Sequence, residues 1–222
     1  LESGPASTSK DVQQKRSSAR GGVVALRVER DDESIVEALQ RDEDWARAAL
    51  YDRYAPTVER IVRRLIGTDA DLEVEDVLHE AFIRAFAAIA SLDDPRALEK
   101  WMRTIGARTA YRAIRSKRMG RWLRFWEPSQ IHYVSAPQVD HDLLEAYQRA
   151  YAVIQAMPAK LRVPFTLRLV EGMELMEVAE ACEVSLATIK RRIKAAEERF
   201  ARAARQDDVL GAWLDRGERW TR

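Results

Sequence analysis

Residues 173–205 constrain the fold more than any other part of the chain, because they have the pattern of a helix-turn-helix. Apolar residues recur at helical spacing on both sides of a short turn that contains Val184, and Ser185 is placed to cap the second helix. The second helix carries seven basic and two acidic residues: Lys190, Arg191, Arg192, Lys194, Arg199, Arg202 and Arg205 against Glu197 and Glu198. Phosphate backbones favour such a face through counterion release, so nucleic acid is the expected partner. The alternative is a solvated basic helix in an all-helical core.

The composition predicts an all-α class. Of 222 residues, 46% are hydrophobic, which suffices for buried cores, and no Asn-Gly or Asp-Gly hairpin signal separates alternating runs. The net charge of +1 conceals a segregation of charge along the chain. Residues 73–80 hold four acids and no Lys or Arg, whereas residues 99–124 hold nine Lys or Arg and one Glu. Each segment is therefore expected to meet a partner of opposite charge.

The single cysteine, Cys182, excludes an intramolecular disulfide and occupies an apolar helix position, so we expect a core residue. No apolar run approaches the roughly 20 residues that a membrane span needs, and the start has no secretory apolar segment. The expected protein is soluble and intracellular.

The amino-terminal half reads as a leader followed by four helical segments. Residues 1–31 lack periodicity and predict a flexible, mildly basic leader. Ser34 and Asp44 are the expected caps of the first two helices, and Pro56 is expected to interrupt or kink the second, which ends at Gly67. Further helices are predicted over 72–90 and 98–118, with a loop over 91–97.

The carboxy-terminal half begins with an aromatic segment over 119–142 that we predict to be a linker. Its Trp122, Phe125 and Trp126 are too apolar to be left in water, so we expect them to dock between or against the domains. Helices are predicted over 143–157 and 160–170, with Pro164 acceptable only in a first turn, and a short amphipathic helix in the tail.

With these segments in place, the chain resembles a bacterial sigma factor of the extracytoplasmic-function (ECF) group. Residues 49–54 and 74–86 (Val-Glu-Asp-Val-Leu-His-Glu-Ala-Phe-Ile-Arg-Ala-Phe) are similar to the opening of the family's region 2, and Trp101-Met-Arg-Thr-Ile with the following arginines to its last helix. Met157-Pro158, Glu171-Gly172, Glu177-Val-Ala and Thr188-Ile-Lys are similar to region 4. The sequence departs from the family pattern at His79, Arg108 and Glu183. The resemblance implies two small helical domains joined by a linker: leader 1–31, region 2 over 32–118, linker 119–142, region 4 over 143–205 and tail 206–222.

The resemblance implies a subunit that gives core RNA polymerase its promoter specificity. Region 4 would read the duplex minus-35 element, and region 2 would capture the melted minus-10 element and grip the polymerase clamp. Further expected partners are the polymerase flap, promoter DNA and an anti-sigma factor, in a cytoplasmic, nucleoid-associated protein. With Ile189 and Ile193 facing inward, base contacts are expected from Lys190, Arg191 and Lys194 beside an exposed Thr188, and phosphate contacts from Arg192 and Arg199.

Region 2 needs a cationic track and pockets or aromatic faces for unstacked bases. The candidate track consists of Arg103, Arg108, Arg112, Arg115 and Lys117. Trp101 either supports the opened duplex edge or belongs to the core beside Ile105. Asp93 and Asp94 either accept hydrogen bonds from a base or stabilise the turn.

The acidic helix around Glu75, Asp76, His79 and Glu80 is the candidate polymerase-binding surface, because its charge disfavours DNA and suits a basic protein. The same acids also compensate the dipole at a helix amino terminus, and both roles can hold together.

Enzymatic constellations are missing from the sequence. His79-Glu80 lacks the second His of a zinc helix because position 83 is Ile, and there is no Gly-rich phosphate loop. We expect no catalysis, metal or cofactor. The competing interpretation is a stand-alone helix-turn-helix regulator with an amino-terminal protein-interaction domain, which would not need both an acidic and a strand-capturing helix in region 2.

Overall fold

The computed structural model describes residues 31–67, 72–120 and 141–215, in which every regular element is helical. The α-helices are α1 (Asp32–Gln40), α2 (Asp44–Ile66), α3 (Val74–Ala88), α4 (Leu98–Gly120), α5 (His141–Gln155), α6 (Ala159–Phe165), α7 (Leu175–Ala181), α8 (Leu186–Arg205) and α9 (Asp208–Asp215). The all-α class is confirmed. The leader, residues 121–140 of the linker with its aromatic side chains, and the end of the tail lie outside the described residues.

A side-chain cap sets where the first helix begins. Asp31 caps α1, because its carboxylate accepts a hydrogen bond from the backbone N–H of Ser34 at 2.9 Å. The prediction of Ser34 as the cap was wrong, since a cap lies two or three residues before the N–H it binds. The prediction of Asp44 as the cap of α2 was wrong, because Asp44 is the first residue of that helix and Glu43 before it makes no side-chain cap hydrogen bond. Pro56 lies inside α2 without ending it, and Gly67 terminates α2 at a φ of +65°. Glycine adopts that conformation without a steric penalty.

Helices α2, α3 and α4 form the core of the first helical group. Gly106 lets α4 approach α2 closely, because a Cβ added there would lie 2.8 Å from Cγ1 of Val58. The apolar side of α3 is buried, including Val77 and Phe82. Two 3₁₀ turns lead the chain into α4: Ile89–Ser91 replaces the end of the predicted helix, and Pro95–Ala97 lies in the predicted loop.

The second helical group contains α5 to α9. The helix predicted over 160–170 is not continuous: α6 ends at Phe165, and Thr166–Val170 form a π-helical turn. Pro164 lies in the last turn of α6 rather than in its first, where it supplies no backbone donor to the carbonyl four residues earlier. Helix α5 begins at His141, two residues inside the predicted linker. The tail forms α9, whose Leu210 is buried.

The two groups share one apolar cluster, which contains Val58 and Met102 of the first group and Val178 and Ile189 of the second. Helix α4 packs along α7, so the last helix of the first group lies against the helix-turn-helix. Among the described residues, no helix is both long and apolar enough to cross a membrane.

Candidate nucleic-acid and polymerase interfaces

Helices α7 and α8 form the predicted helix-turn-helix. Glu174 and Glu177 make a capping box at the start of α7, and Ser185 caps α8 by accepting a hydrogen bond from the N–H of Thr188 at 3.3 Å. Glu183 lies in the turn at a φ of +54°, a conformation that residues with a Cβ rarely adopt. The predicted cap is therefore present, and the turn holds Glu183 in the left-handed region.

The outer face of α8 carries basic side chains that are available for DNA. Ile189 and Ile193 are buried, so Lys190, Arg191 and Lys194 point away from the core and are exposed. None of these three cations forms an ion pair with a described residue. Arg199 is also exposed, whereas Thr188 is half-buried next to Ser185.

Arg192 occupies a different side of α8. Its Nη1 donates to the hydroxyl of Tyr111 on α4 at 3.3 Å, and its side chain is half-buried. Within this arrangement Arg192 faces the first helical group and not the outer face that the three exposed cations share.

Cys182 lies in the buried core of the helix-turn-helix. The residue is fully buried, and this burial raises the pKa of its thiol to about 12. A thiol with that pKa stays protonated near neutral pH and is a poor nucleophile. The prediction of a core cysteine is confirmed.

The basic side chains of α4 face the second helical group. Arg108 Nη2 lies 2.8 Å from Oε1 of Glu180, and Arg112 Nε lies 3.1 Å from Oε1 of Glu183. Arg103 donates to the backbone carbonyl of Glu171. Arg115 is exposed, with its guanidinium 5.7 Å from the ring centroid of Tyr111, and the side chain of Lys117 lies outside the described part of the chain.

Lys100 also belongs to this basic surface, although the sequence analysis did not single it out. Its Nζ lies 3.4 Å from a carboxylate oxygen of Glu177 and 3.6 Å from one of Glu174. Glu177 is the main cause that raises the pKa of Lys100. The spacing of four between positions 100, 104, 108 and 112 puts Lys100 on the same face as Arg108 and Arg112 and was available from the sequence.

The acids that meet α4 form a regular pattern that sequence analysis missed. They recur every third residue, at Glu171, Glu174, Glu177, Glu180 and Glu183. Each of them contacts a basic residue of the first helical group, through its side chain or its backbone. Hydrogen bonds from Arg112 are the main cause that lowers the pKa of Glu183.

Glu171 is the most buried member of this series. Its side chain is only 3% exposed and pairs with Arg64 of α2, and Nε of Arg60 lies 3.9 Å from its other carboxylate oxygen. Arg64 itself is 33% exposed. A charged pair in this position connects the two helical groups through a carboxylate that water barely reaches.

The residues that lead into α4 have visible structural roles. Asp94 caps the second 3₁₀ turn by accepting from the N–H of Arg96 at 3.0 Å, which is the turn-stabilising alternative. Trp101 is half-buried and packs against the core. Asp93 is exposed.

The surface of α3 combines acids with exposed apolar groups. Glu75, Asp76 and His79 are exposed, and Glu80 pairs with Arg84 at 2.7 Å. Ile83 lies on the same helix and is 52% exposed. Acidic groups around an apolar centre are typical of a protein-binding surface.

An exposed basic helix in a helix-turn-helix, joined to a second helical group with a basic helix of its own, defines an all-helical DNA-binding protein. The sequence matches the family Sigma-70 region 2 over residues 50–119 and the family Sigma-70 region 4 over residues 147–200. It is 27% identical over 176 residues to the ECF RNA polymerase sigma-E factor of Escherichia coli K12, which covers 75% of this chain and 91% of that protein. The corresponding factor of Haemophilus influenzae is 25% identical over the same length, covering 75% of this chain and 92% of that protein. The chain belongs to the ECF sigma factors.

Solved structures support the fold. The sigma factor RpoE from Bartonella quintana, in complex with the anti-sigma factor NepR, has a TM-score of 0.54 and 20% identity, over 71% of this chain and 95% of that one. CnrH, in complex with the cytosolic domain of CnrY, has a TM-score of 0.51 and 20% identity, over 80% of this chain and 99% of that one.

Proposed function

We propose that the two helical groups of this sigma factor divide promoter recognition between them. Helix α8 reads the duplex minus-35 element, and α4 holds the melted minus-10 strand while α3 binds the polymerase clamp. The observation that carries this proposal is the outer face of α8, where Lys190, Arg191 and Lys194 are exposed and free of ion pairs with described residues. Side chains in the amino-terminal half of such a helix are the ones that reach base edges in a major groove.

The basic side chains of α4 support the role of strand capture. Arg103, Arg108, Arg112 and Arg115 follow one another along a helix that the family match assigns to region 2. A continuous cationic track suits a single strand, whose charge is spread along its backbone. We assign region 2 to 32–118 and region 4 to 143–205, joined by 119–142, and α9 packs on region 4 through Leu210.

Polymerase is the proposed partner of α3, and the chain contributes no catalysis of its own because nucleotide addition belongs to the core enzyme. We therefore expect the chain at the nucleoid, with polymerase and promoter DNA. A stand-alone helix-turn-helix regulator is not favoured, because residues 50–119 match a sigma region that such a regulator does not need. The complexes of RpoE with NepR and of CnrH with the cytosolic domain of CnrY motivate the further proposal that a regulatory protein binds this chain as well.

The test separates duplex reading from strand capture in the holoenzyme. Arg191→Ala is expected to lose about 1–3 kcal/mol on preferred duplex and to relax preference at one position, whereas Arg199→Ala weakens all sequences alike. Arg115→Ala is expected to leave the closed complex intact and to reduce the permanganate reactivity of the opened promoter. Equal defects of all three variants on a duplex that carries only the upstream element would refute this division.

A further inference from the structure

The described conformation brings two charged rows from different regions into contact. We define the basic track as Lys100, Arg103, Arg108 and Arg112 of α4, and the acidic ladder as Glu171, Glu174, Glu177, Glu180 and Glu183 around α7. We propose that the acidic ladder is an interaction surface that occupies the basic track in place of a nucleic-acid strand, so that α4 binds a strand only after the helix-turn-helix moves away. This inference rests on the proposed strand-binding role of α4.

Helical geometry makes the two rows complementary. Residues three or four apart lie on the same face of a helix, which aligns Glu177 with Glu180 on α7 and positions 100, 108 and 112 on α4. Glu174 precedes α7 as its cap, and Glu183 follows α7 in the turn. The contacts run in register along both rows: Lys100 meets Glu174 and Glu177, and further along Arg108 meets Glu180. Arg112 and Glu183 form the last pair. A register of this kind covers the track along three turns of α4.

A nucleic-acid strand and the acidic ladder compete for the same donors on the basic track. A guanidinium that donates to a carboxylate has fewer donors left for a phosphate, and the row of carboxylates repels the phosphates of an approaching strand. The outer face of α8 is unaffected, because Lys190, Arg191 and Lys194 lie away from this contact. The closed chain therefore retains contact with duplex DNA but not with an opened strand.

The ion pairs between the two rows are individually weak. Both partners of the Arg108–Glu180 and Arg112–Glu183 pairs remain partly exposed, with side-chain exposures of 31% and 61% for the first pair and 44% and 34% for the second. Exposed pairs contribute little and are screened by salt. The buried Nε atoms of Arg103 and Arg108 have no acceptor among the described residues, which leaves the closed state short of full hydrogen bonding.

The experiment measures closure in the full chain without nucleic acid. Spin labels are placed at two exposed positions, Ala87→Cys on α3 and Gln206→Cys after α8, in a Cys182→Ala background. Glu180→Gln with Glu183→Gln is expected to lengthen and broaden the distance distribution. The matched control is Glu197→Gln with Glu198→Gln, which removes the same charge from the exposed side of α8 and is expected to leave the distances unchanged.

A charge-exchange variant distinguishes the loss of the Arg112–Glu183 ion pair from a general loss of structure. Arg112→Glu is expected to open the chain, and adding Glu183→Arg is expected to restore the short distance. A wild-type distribution that already matches the Glu180/Glu183 double variant would overturn the proposal, and so would a charge exchange that fails to restore closure.

Strand binding is then measured with a fluorescent dodecathymidylate on the unlabelled chain. Opening is expected to raise the affinity of the Glu180→Gln, Glu183→Gln variant about tenfold at low salt, since the apparent affinity scales with the fraction of open chain. The Glu197/Glu198 control is expected to change it less than about twofold. Longer distances with unchanged affinity would overturn the competition between ladder and strand. The distance measurement contains no DNA, so it separates a failure of closure from a failure of the proposed strand binding, which the permanganate assay tests in the holoenzyme.

Discussion

Glu171 offers the sharpest test of how the two helical groups are held together. Its side chain is 3% exposed and pairs with Arg64, so Glu171→Gln keeps the shape of the residue and removes the charge. Breaking a fully buried pair costs about 3–5 kcal/mol, but Arg64 is 33% exposed and water can solvate part of its guanidinium. We therefore expect a loss of about 2 kcal/mol, which for a chain of this size lowers Tm by about 4–8 °C.

The control for this variant lies on α2, the helix that carries Arg64. Glu59→Gln breaks an exposed i,i+4 pair with Arg63, whose side chains are 61% (Arg63) and 42% (Glu59) exposed. Such pairs contribute about 0.3–0.5 kcal/mol, so the expected change in Tm is below about 2 °C. Calorimetry or circular dichroism on the full chain measures both variants. Equal changes in Tm would show that the Glu171 pair does not couple the groups.

Three other perturbations test the fold, the contact and the polymerase surface. Gly106→Ala is expected to destabilise the chain by about 1–3 kcal/mol in urea titrations because its Cβ meets Val58, and Val58→Ala should recover part of that loss. Because the pKa of Glu183 is lowered in the closed state, its ionised carboxylate stabilises that state at pH values above its ordinary pKa of 4.5, and this contribution is lost as the pH falls through the lowered pKa. The distances between the spin labels should therefore lengthen in acid in the wild type and respond less in Glu183→Gln. Asp76→Lys with Glu80→Lys is expected to weaken binding to core polymerase while the helical circular dichroism stays constant, and an unchanged affinity would reject α3 as the polymerase surface.

The sequence predicted elements whose signals are local. Ser185 and the buried Ile189 and Ile193 were predictable because a cap and an apolar stripe depend on neighbours within one or two turns. Asp31 was missed for a local reason as well, since Asp31 and Ser34 lie three residues apart and both are residue types that cap helices. The π turn after Pro164 was not expected, because proline was considered only as a break or a first-turn residue.

The contact between α4 and α7 could not be predicted in the same way. Arg112 and Glu183 are 71 residues apart in the sequence, and only the packing of the two helical groups brings them together. The spacing of the acids was visible, but a search for apolar periodicity does not reveal it. The basic helix α4 was therefore interpreted as a surface for an external partner, and the acids at 171–183 were not interpreted at all.

Run-off transcription with core RNA polymerase tests the central claim most directly. Core enzyme supplemented with the full chain transcribes a pool of genomic DNA fragments, and core enzyme alone is the reference. We predict discrete transcripts that require the chain and that share an upstream and a minus-10 element, and Arg191→Ala should weaken these transcripts. A chain that binds promoter duplex yet neither binds core polymerase nor produces such transcripts would contradict a sigma-factor function.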